Sequence, residues 1–196
     1  MQLHDQDIDI VVKQTLDNTQ CMWLSLQYNE ITSVGATILA EALNNNRTLY
    51  TLSLLANQVS DMGVKAFAET LTHSNCTLTI LDLSENGITD AGCEHLSQML
   101  KTNQTMTLLY LSKNEITDRG VRLLCETIKN HNQSLQGLCL SWNNLVTDES
   151  VDSLCDMIKY HQSSKILEVK DCNLSPMGEE KLQIAADSKK NFELFV

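Results

Sequence analysis

The feature that most constrains this chain is that it repeats itself. The stretch Leu81-Asp82-Leu83-Ser84-Glu85-Asn86-Gly87-Ile88-Thr89-Asp90-Ala91-Gly92 returns as Leu109-Tyr110-Leu111-Ser112-Lys113-Asn114-Glu115-Ile116-Thr117-Asp118-Arg119-Gly120. Looser versions surround Asn29, Asn57, Asn143 and Cys172, so six copies follow one another at intervals of 28 or 29 residues. The shared form is L-x-L-x-x-N-x-I-T-D-x-G, then a second apolar cluster, then N-x-T-L leading into the next copy. A period in this range means one small strand-and-turn unit per copy that cannot close a core alone, so neighbouring copies must stack.

Each copy has two halves with different periods. Leu52 and Leu54, or Leu138 and Leu140, alternate as on a short strand with one buried face. Cys93, Leu96, Ser97 and Leu100 recur at three- and four-residue intervals, the stripe of a helix. Packed helices need ~8–10 Å and paired strands only ~4.8 Å, so the stack must curl with its sheet inside. The expected fold is an α/β solenoid, a horseshoe segment of about six repeats with a parallel β-sheet on the concave face and α-helices on the convex face. Pro176 is the single proline and no linker-like stretch interrupts the chain, which reads as one domain. Residues 1–18 are expected to form an N-terminal capping helix, 19–190 the repeats and 191–196 a C-terminal capping strand. Ile10, Val11 and Val12 align with Ile38, Leu39 and Ala40, and Phe192 and Phe195 are expected where the next strand's leucines would stand.

Several eye-catching residues have structural explanations. Asn29, Asn57, Asn86, Asn114 and Asn143 fall where the chain leaves the strand, and a buried carboxamide there can satisfy backbone groups that no ladder reaches; Cys172 takes that place in the sixth copy. Asp61, Asp90, Asp118 and Asp148 read as caps at the starts of helices. Gly35, Gly63, Gly92, Gly120 and Gly178 indicate close backbone packing at the turn, not a phosphate cradle. The sequons at Asn46, Asn75, Asn103 and Asn132 share the repeat spacing and read as by-products of a junction. One extra residue after Asn143, with Ser150 in place of glycine, predicts a local bulge in the fifth copy.

With its 28- and 29-residue period, its N-x-I-T-D-x-G turn and its Asn/Cys position, the chain resembles the ribonuclease-inhibitor-like class of leucine-rich repeats over roughly residues 19–190. That class includes ribonuclease inhibitor, the NOD-like receptors and the Ran GTPase-activating protein. The resemblance implies the horseshoe fold and a role in binding other macromolecules, but fold alone does not choose the partner.

Composition excludes more than it selects. A net charge of −11 disfavours nucleic acid and anionic membrane surfaces and tips the balance slightly toward a basic protein partner. The acidic start, Met1 to Asp9, is unlike a basic presequence, and no apolar run approaches the ~20 residues of a membrane span. Seven dispersed cysteines without a C-x-x-C pair indicate neither a disulfide framework nor a zinc site, so a reducing cytoplasm is the expected compartment. No P-loop, G-x-S-x-G or H-E-x-x-H motif is present and the five histidines are scattered, so neither catalysis nor a cofactor or metal is expected.

If the paired leucines face the core, the residues between and just after them face outward on the concave sheet. That set contains both tryptophans and two of the four tyrosines, although aromatic residues make up only 5% of the chain. Exposed rings of this kind are frequent binding anchors. The candidate partner-binding residues are Trp23, Tyr28, Asp82, Glu85, Tyr110, Lys113, Cys139, Trp142, Glu168 and Asp171. Tyr110, Lys113, Cys139 and Trp142 are expected to form one patch with Glu85 beside Lys113, and Cys139 is expected to be exposed there. The function this suggests is a non-catalytic protein-interaction module of the NOD-like-receptor type. The alternatives are a regulator of an enzyme, either a GTPase activator or a ribonuclease inhibitor, and a structural solenoid without a dedicated partner.

Overall fold

The computed structural model describes residues 2–16, 20–44, 46–73 and 77–196; the sequon residue Asn75 and the expected boundary between residues 18 and 19 lie outside the described residues. The elements alternate along the chain: α1 (Asp5–Thr15), β1 (Trp23–Ser25), α2 (Ser33–Leu43), β2 (Thr51–Ser53), α3 (Ser60–His73), β3 (Ile80–Asp82), α4 (Asp90–Leu100), β4 (Leu108–Tyr110). They continue with α5 (Asp118–His131), β5 (Gly137–Cys139), a 3-10 turn (Asp148–Ser150), α6 (Val151–Tyr160), β6 (Ile166–Glu168), α7 (Pro176–Asp187) and β7 (Glu193–Phe195). The described strands form a seven-stranded parallel sheet in chain order. Leu24, Leu52, Leu81, Leu109, Leu138, Leu167 and Leu194 lie in one register row, and with Leu54, Leu83 and Leu111 they face the single core between sheet and helices. The fold is an α/β leucine-rich-repeat solenoid.

At β7 the inward residue is Leu194, paired with Leu167, so Phe192 and Phe195 do not stand at the leucine positions expected of them. Phe192, Leu194 and Val196 alternate in one phase and Phe195 falls in the other with Glu193, so the register that turns Leu194 inward puts Phe195 beside Glu168 on the open face.

Neighbouring copies are tied together by buried carboxamides. Asn143 Oδ1 accepts the N–H groups of Asn114 and Ile116, each at 3.2 Å, and its Nδ2 donates to the carbonyls of Leu111 at 3.0 Å and Leu140 at 2.7 Å. Asn114 repeats the pattern one copy earlier with Asn86, Ile88, Leu83 and Leu111. Asn57 and Asn86 do the same with Ile31 and Val59. A second ladder runs along the other junction, where Asn103 and Asn132 donate to the carbonyls of Leu71 and Leu100 and accept the N–H groups of Met106 and Leu135. The described sequon asparagines Asn46, Asn103 and Asn132 are thus buried joints whose amides are engaged.

The aspartates cap helices, but not their own. The N-caps of α2, α4 and α5 are Thr32, Thr89 and Thr117, whose hydroxyls accept the N–H groups of Val34, Ala91 and Arg119. Each aspartate reaches instead into the following copy: Asp90 Oδ1 accepts from Thr117 N–H at 2.9 Å and Gly120 N–H at 3.0 Å, while Oδ2 takes the Thr117 hydroxyl at 2.6 Å. Asp61 does this for Thr89 and Gly92, and Asp5 for Thr32 and Gly35. The glycines are required by space: a Cβ on Gly120 would come within 2.5 Å of Asp90 Oδ1. Burial raises the pKa of Asp5, but the hydrogen bonds from Thr32 and Gly35 outweigh it and hold the carboxyl below its usual range.

Three departures from the pattern are informative. The extra residue of the fifth copy is absorbed in a turn closed by Val146 N–H donating to Asn143 O at 2.9 Å, and the 3-10 turn precedes α6 with Ser150 fully buried. Ser33 stands where an aspartate would reach α3, and the residue it would cap, Ser60, is left-handed at φ 55 where Thr32, Thr89 and Thr117 are extended. His161 replaces asparagine at the last junction, buried with Nε2 2.9 Å from Asn132 O and Nδ1 2.6 Å from Ser164 Oγ. These partners suit the neutral ring, with Nε2–H donating and Nδ1 accepting from the hydroxyl.

Both the relay and the histidine joint can be tested through stability. Asp90→Ala removes the carboxylate that serves Thr117 and Gly120 and is expected to destabilise by about 1 kcal/mol, a fall of roughly 2–4 °C in melting temperature; an unchanged or higher value refutes the cross-repeat capping. Burial lowers the His161 pKa below its ordinary 6.5, an effect opposed by the hydrogen bond to Asn132 and reinforced by the nearby charge of Lys189. The stability that the neutral ring contributes is therefore complete above pH 6.5 and is lost as pH falls from there toward the depressed folded pKa. Melting curves of His161→Asn against the parent should show the variant losing less stability between pH 7.5 and 5.

Candidate functional site

The strands are short, and immediately beyond each one the backbone does something that the sequence does not advertise. Tyr28, Ala56, Glu85, Lys113, Trp142 and Asp171, the residues just before the ladder asparagine or Cys172, all have φ between 51 and 64. A left-handed non-glycine residue costs about 1 kcal/mol or more, and it persists where the surroundings leave no alternative. In all but Asp171 the N–H is drawn to the next copy: Glu85 N–H donates to Ser112 O at 2.9 Å, Lys113 N–H to Ser141 O at 2.8 Å and Trp142 N–H to Lys170 O at 2.8 Å. The turn aims the following asparagine into the core and sends its own side chain out along the margin of the concave sheet. No glycine marks the position, so only the folded chain reveals it.

Five of the ten candidate residues occupy this left-handed row: Tyr28, Glu85, Lys113, Trp142 and Asp171. Tyr28 is 64% exposed and Trp142 53%. Lys113 Nζ reaches Glu85 Oε2 at 2.8 Å, which joins two copies through an exposed ion pair worth little by itself. Trp23 is 69% exposed at the first strand, five strands away from Glu168 and far from the central group. Asp82, Tyr110, Cys139 and Glu168 form one row across β3 to β6. Asp82 is fixed by the Ser53 hydroxyl at 2.9 Å and the Ser84 N–H at 3.0 Å.

Cys139 departs from expectation. It lies on the concave row but is only 2% exposed, because the larger side chains of Tyr110 and Glu168 flank the small thiol and close over it. Burial raises its pKa far above the ordinary 9.0, and the neighbouring Glu168 carboxylate, hydrogen-bonded to it, raises it further. Burial likewise raises the Tyr110 pKa, with Cys139, Glu168 and Asp82 adding to the effect, so the ring carries a neutral hydroxyl between two carboxylates.

A hollow of about 410 Å³ opens at the margin, lined by Leu55, Asp82, Ser84, Glu85, Ser112, Lys113 and Trp142. It brings together four of the candidates but leaves Tyr110 and Cys139 outside its lining. Leu55, half-buried as its wall, and Phe195, with Lys170 Nζ 5.1 Å from its ring centre, are site residues that the candidate set lacks. The alternation of the strand marks Leu55 as outward, whereas Phe195 is outward only in the register that turns Leu194 inward. Among the described residues no group of three His, Cys, Asp or Glu side chains could hold a metal ion, and no helix is long and apolar enough to cross a membrane.

Residues 74–97, 102–125 and 131–155 match the family model described as Leucine Rich repeat, so the repeat is recognised in sequence over these three segments. Among solved structures, leiomodin-1 actin-binding site 2 is similar at a TM-score of 0.62 and 16% identity, with 79% of this chain and 90% of that one covered. The tropomodulin C-terminal domain of Caenorhabditis elegans is similar at a TM-score of 0.56 and 11% identity, with 92% of each chain covered. No curated protein matches the chain.

The burial of Cys139 has a direct chemical consequence. A thiol-specific reagent at pH 8, followed by peptide mapping, should label Cys139 at least about 100-fold more slowly than a free thiol, since both access and thiolate fraction are suppressed. Tyr110→Ala should uncover it and speed labelling by tenfold or more; fast labelling of the parent refutes the shielding.

Proposed function

We propose that this chain is a non-catalytic protein-interaction module whose concave face holds the partner. The observation that carries this reading is Trp142, more than half exposed at the wall of a hollow that is also lined by Asp82 and the Glu85–Lys113 pair. A bare indole beside anchored charges is the arrangement found at interface hot spots, where covering one such ring contributes about 2 kcal/mol or more. The ring does not serve the core, so stiffening of the sheet is a poor account of it. A stack of this size is large enough to hold a protein partner, since the leiomodin-1 structure, 90% of which this chain covers, is an actin-binding site.

Within this reading we place recognition of the NOD-like-receptor type, on the strength of the ribonuclease-inhibitor-like N-x-I-T-D-x-G turn. We assign the module to the cytoplasm, where its unpaired described cysteines and buried sequon asparagines are at home. The net charge of −11 supports a protein partner with basic character over nucleic acid or a membrane surface.

Alanine at both Tyr110 and Trp142 should weaken partner capture from native lysate by at least about 30-fold while melting shifts by no more than a few degrees. Retained capture by a folded double variant would move the interface off this face. Loss of the fold together with capture would return both rings to a structural role.

A further inference from the structure

The central concave face has a charge pattern with a length. Ile80, Leu108 and Ile166 occupy one outward row, in which the Leu108 side chain leans over Gly137, 2.5 Å from where a Cβ would stand. Beside this apolar strip runs the row that begins at Asp82, passes Tyr110 and the covered Cys139, and ends at Glu168. The two carboxylates are three strand steps apart, about 14 Å at ~4.8 Å per step. Neither pairs with a cation among the described residues, because the nearby amines are engaged elsewhere: Lys113 on Glu85 and Lys170 over the Phe195 ring. The middle of the face is therefore apolar and aromatic, and its two ends are anionic.

Resting on the interaction-module reading, we infer that this face binds an extended peptide segment running across the strands, with Arg or Lys at positions i and i+4 and an apolar residue at i+2. An extended chain advances ~3.3 Å per residue, so four residues span about 13 Å, and positions i, i+2 and i+4 share one face. One basic side chain meets Asp82 and enters the hollow between Leu55 and Trp142; the central residue settles on Leu108 and Tyr110; the other basic side chain meets Glu168. The carboxylates are held in advance, Asp82 by Ser53 and Ser84 and Glu168 against the Cys139 thiol, so little ordering is left for binding to supply.

The test pans phage displaying random 12-residue peptides against the whole chain, then titrates the enriched peptides, made synthetically, into a Trp23→Phe background in which Trp142 is the only indole. The expected result is enrichment of two basic residues four apart around an apolar one. Binding should shift Trp142 emission and weaken at least tenfold in Asp82→Asn and in Glu168→Gln, with affinity falling as salt rises. Enrichment of acidic or uncharged peptides, a different spacing, no enrichment, or affinity unchanged in both charge variants overturns the inference. Peptides lost with Tyr110→Ala and Trp142→Ala but indifferent to the charge variants leave the concave module standing without this ligand. Peptides indifferent to all four substitutions overturn the module reading too. Should Asp82→Asn fail to fold, Glu168→Gln, which lies outside the serine network, carries the test.

Discussion

A buried carboxamide has one acceptor and two N–H donors that water cannot reach, and leaving them unmet costs about 1–3 kcal/mol per group. In this chain the requirement is shared between copies: Asn143 joins its own strand end, at Leu140, to Leu111, Asn114 and Ile116 of the preceding copy. Such an asparagine can be satisfied only if two copies stand in one register at one separation. The sheet register, in which leucine meets leucine from Leu24 to Leu194, is thus supported twice, by the strands and by the ladder beside them. The left-handed residue before each asparagine is part of the same constraint, since it turns the carboxamide inward while its own N–H is held by the next copy.

The carboxylate relay adds a direction. Asp61, Asp90 and Asp118 each serve the helix start of the copy that follows, whereas the asparagines of the ladder donate to the copy before. Interior copies other than that of α3, which Ser33 leaves without a carboxylate, are therefore stabilised from both sides. Toward the last copies the substitutions accumulate. Cys172 Sγ donates to Leu140 O at 3.4 Å with a single hydrogen, where the Asn143 carboxamide makes four hydrogen bonds, and His161 brings a titratable ring into a joint that asparagine fills elsewhere. The stack is least redundant near β6 and β7, beside the end of the candidate face that carries Glu168.

Most of the fold was legible because it rests on periodicity. Leucines two apart and apolar residues three or four apart report burial directly, and the repeated Asn and Gly could be assigned to packing from their spacing. What escaped had no such signal. The aspartates lie at the starts of helices, so spacing alone could not say that their acceptors serve the next copy. The exposure of Cys139 depended on the heights of Tyr110 and Glu168 beside it, and alternation specifies which face a residue takes but not whether taller neighbours cover it. Phe195 was misplaced because it stands three residues from Phe192 and cannot share a strand face with it, whereas Phe192, Leu194 and Val196 can, and the register follows Leu194. The ion pair of Glu85 and Lys113, by contrast, followed from stacking alone.

The separation of roles explains how a strict repeat can carry an irregular surface. Core and ladder positions vary little from copy to copy, because each must satisfy its neighbours. The left-handed position holds Tyr28, Ala56, Glu85, Lys113, Trp142 and Asp171 in turn: aromatic, small, acidic, basic, aromatic and acidic. Its backbone is dictated by hydrogen bonds that any L-residue can make, so its side chain is unconstrained by folding beyond a similar strain in every copy. The choice of side chain there is free to serve a partner, and the charges of the concave face are distributed among the copies without disturbing the register that holds them in place.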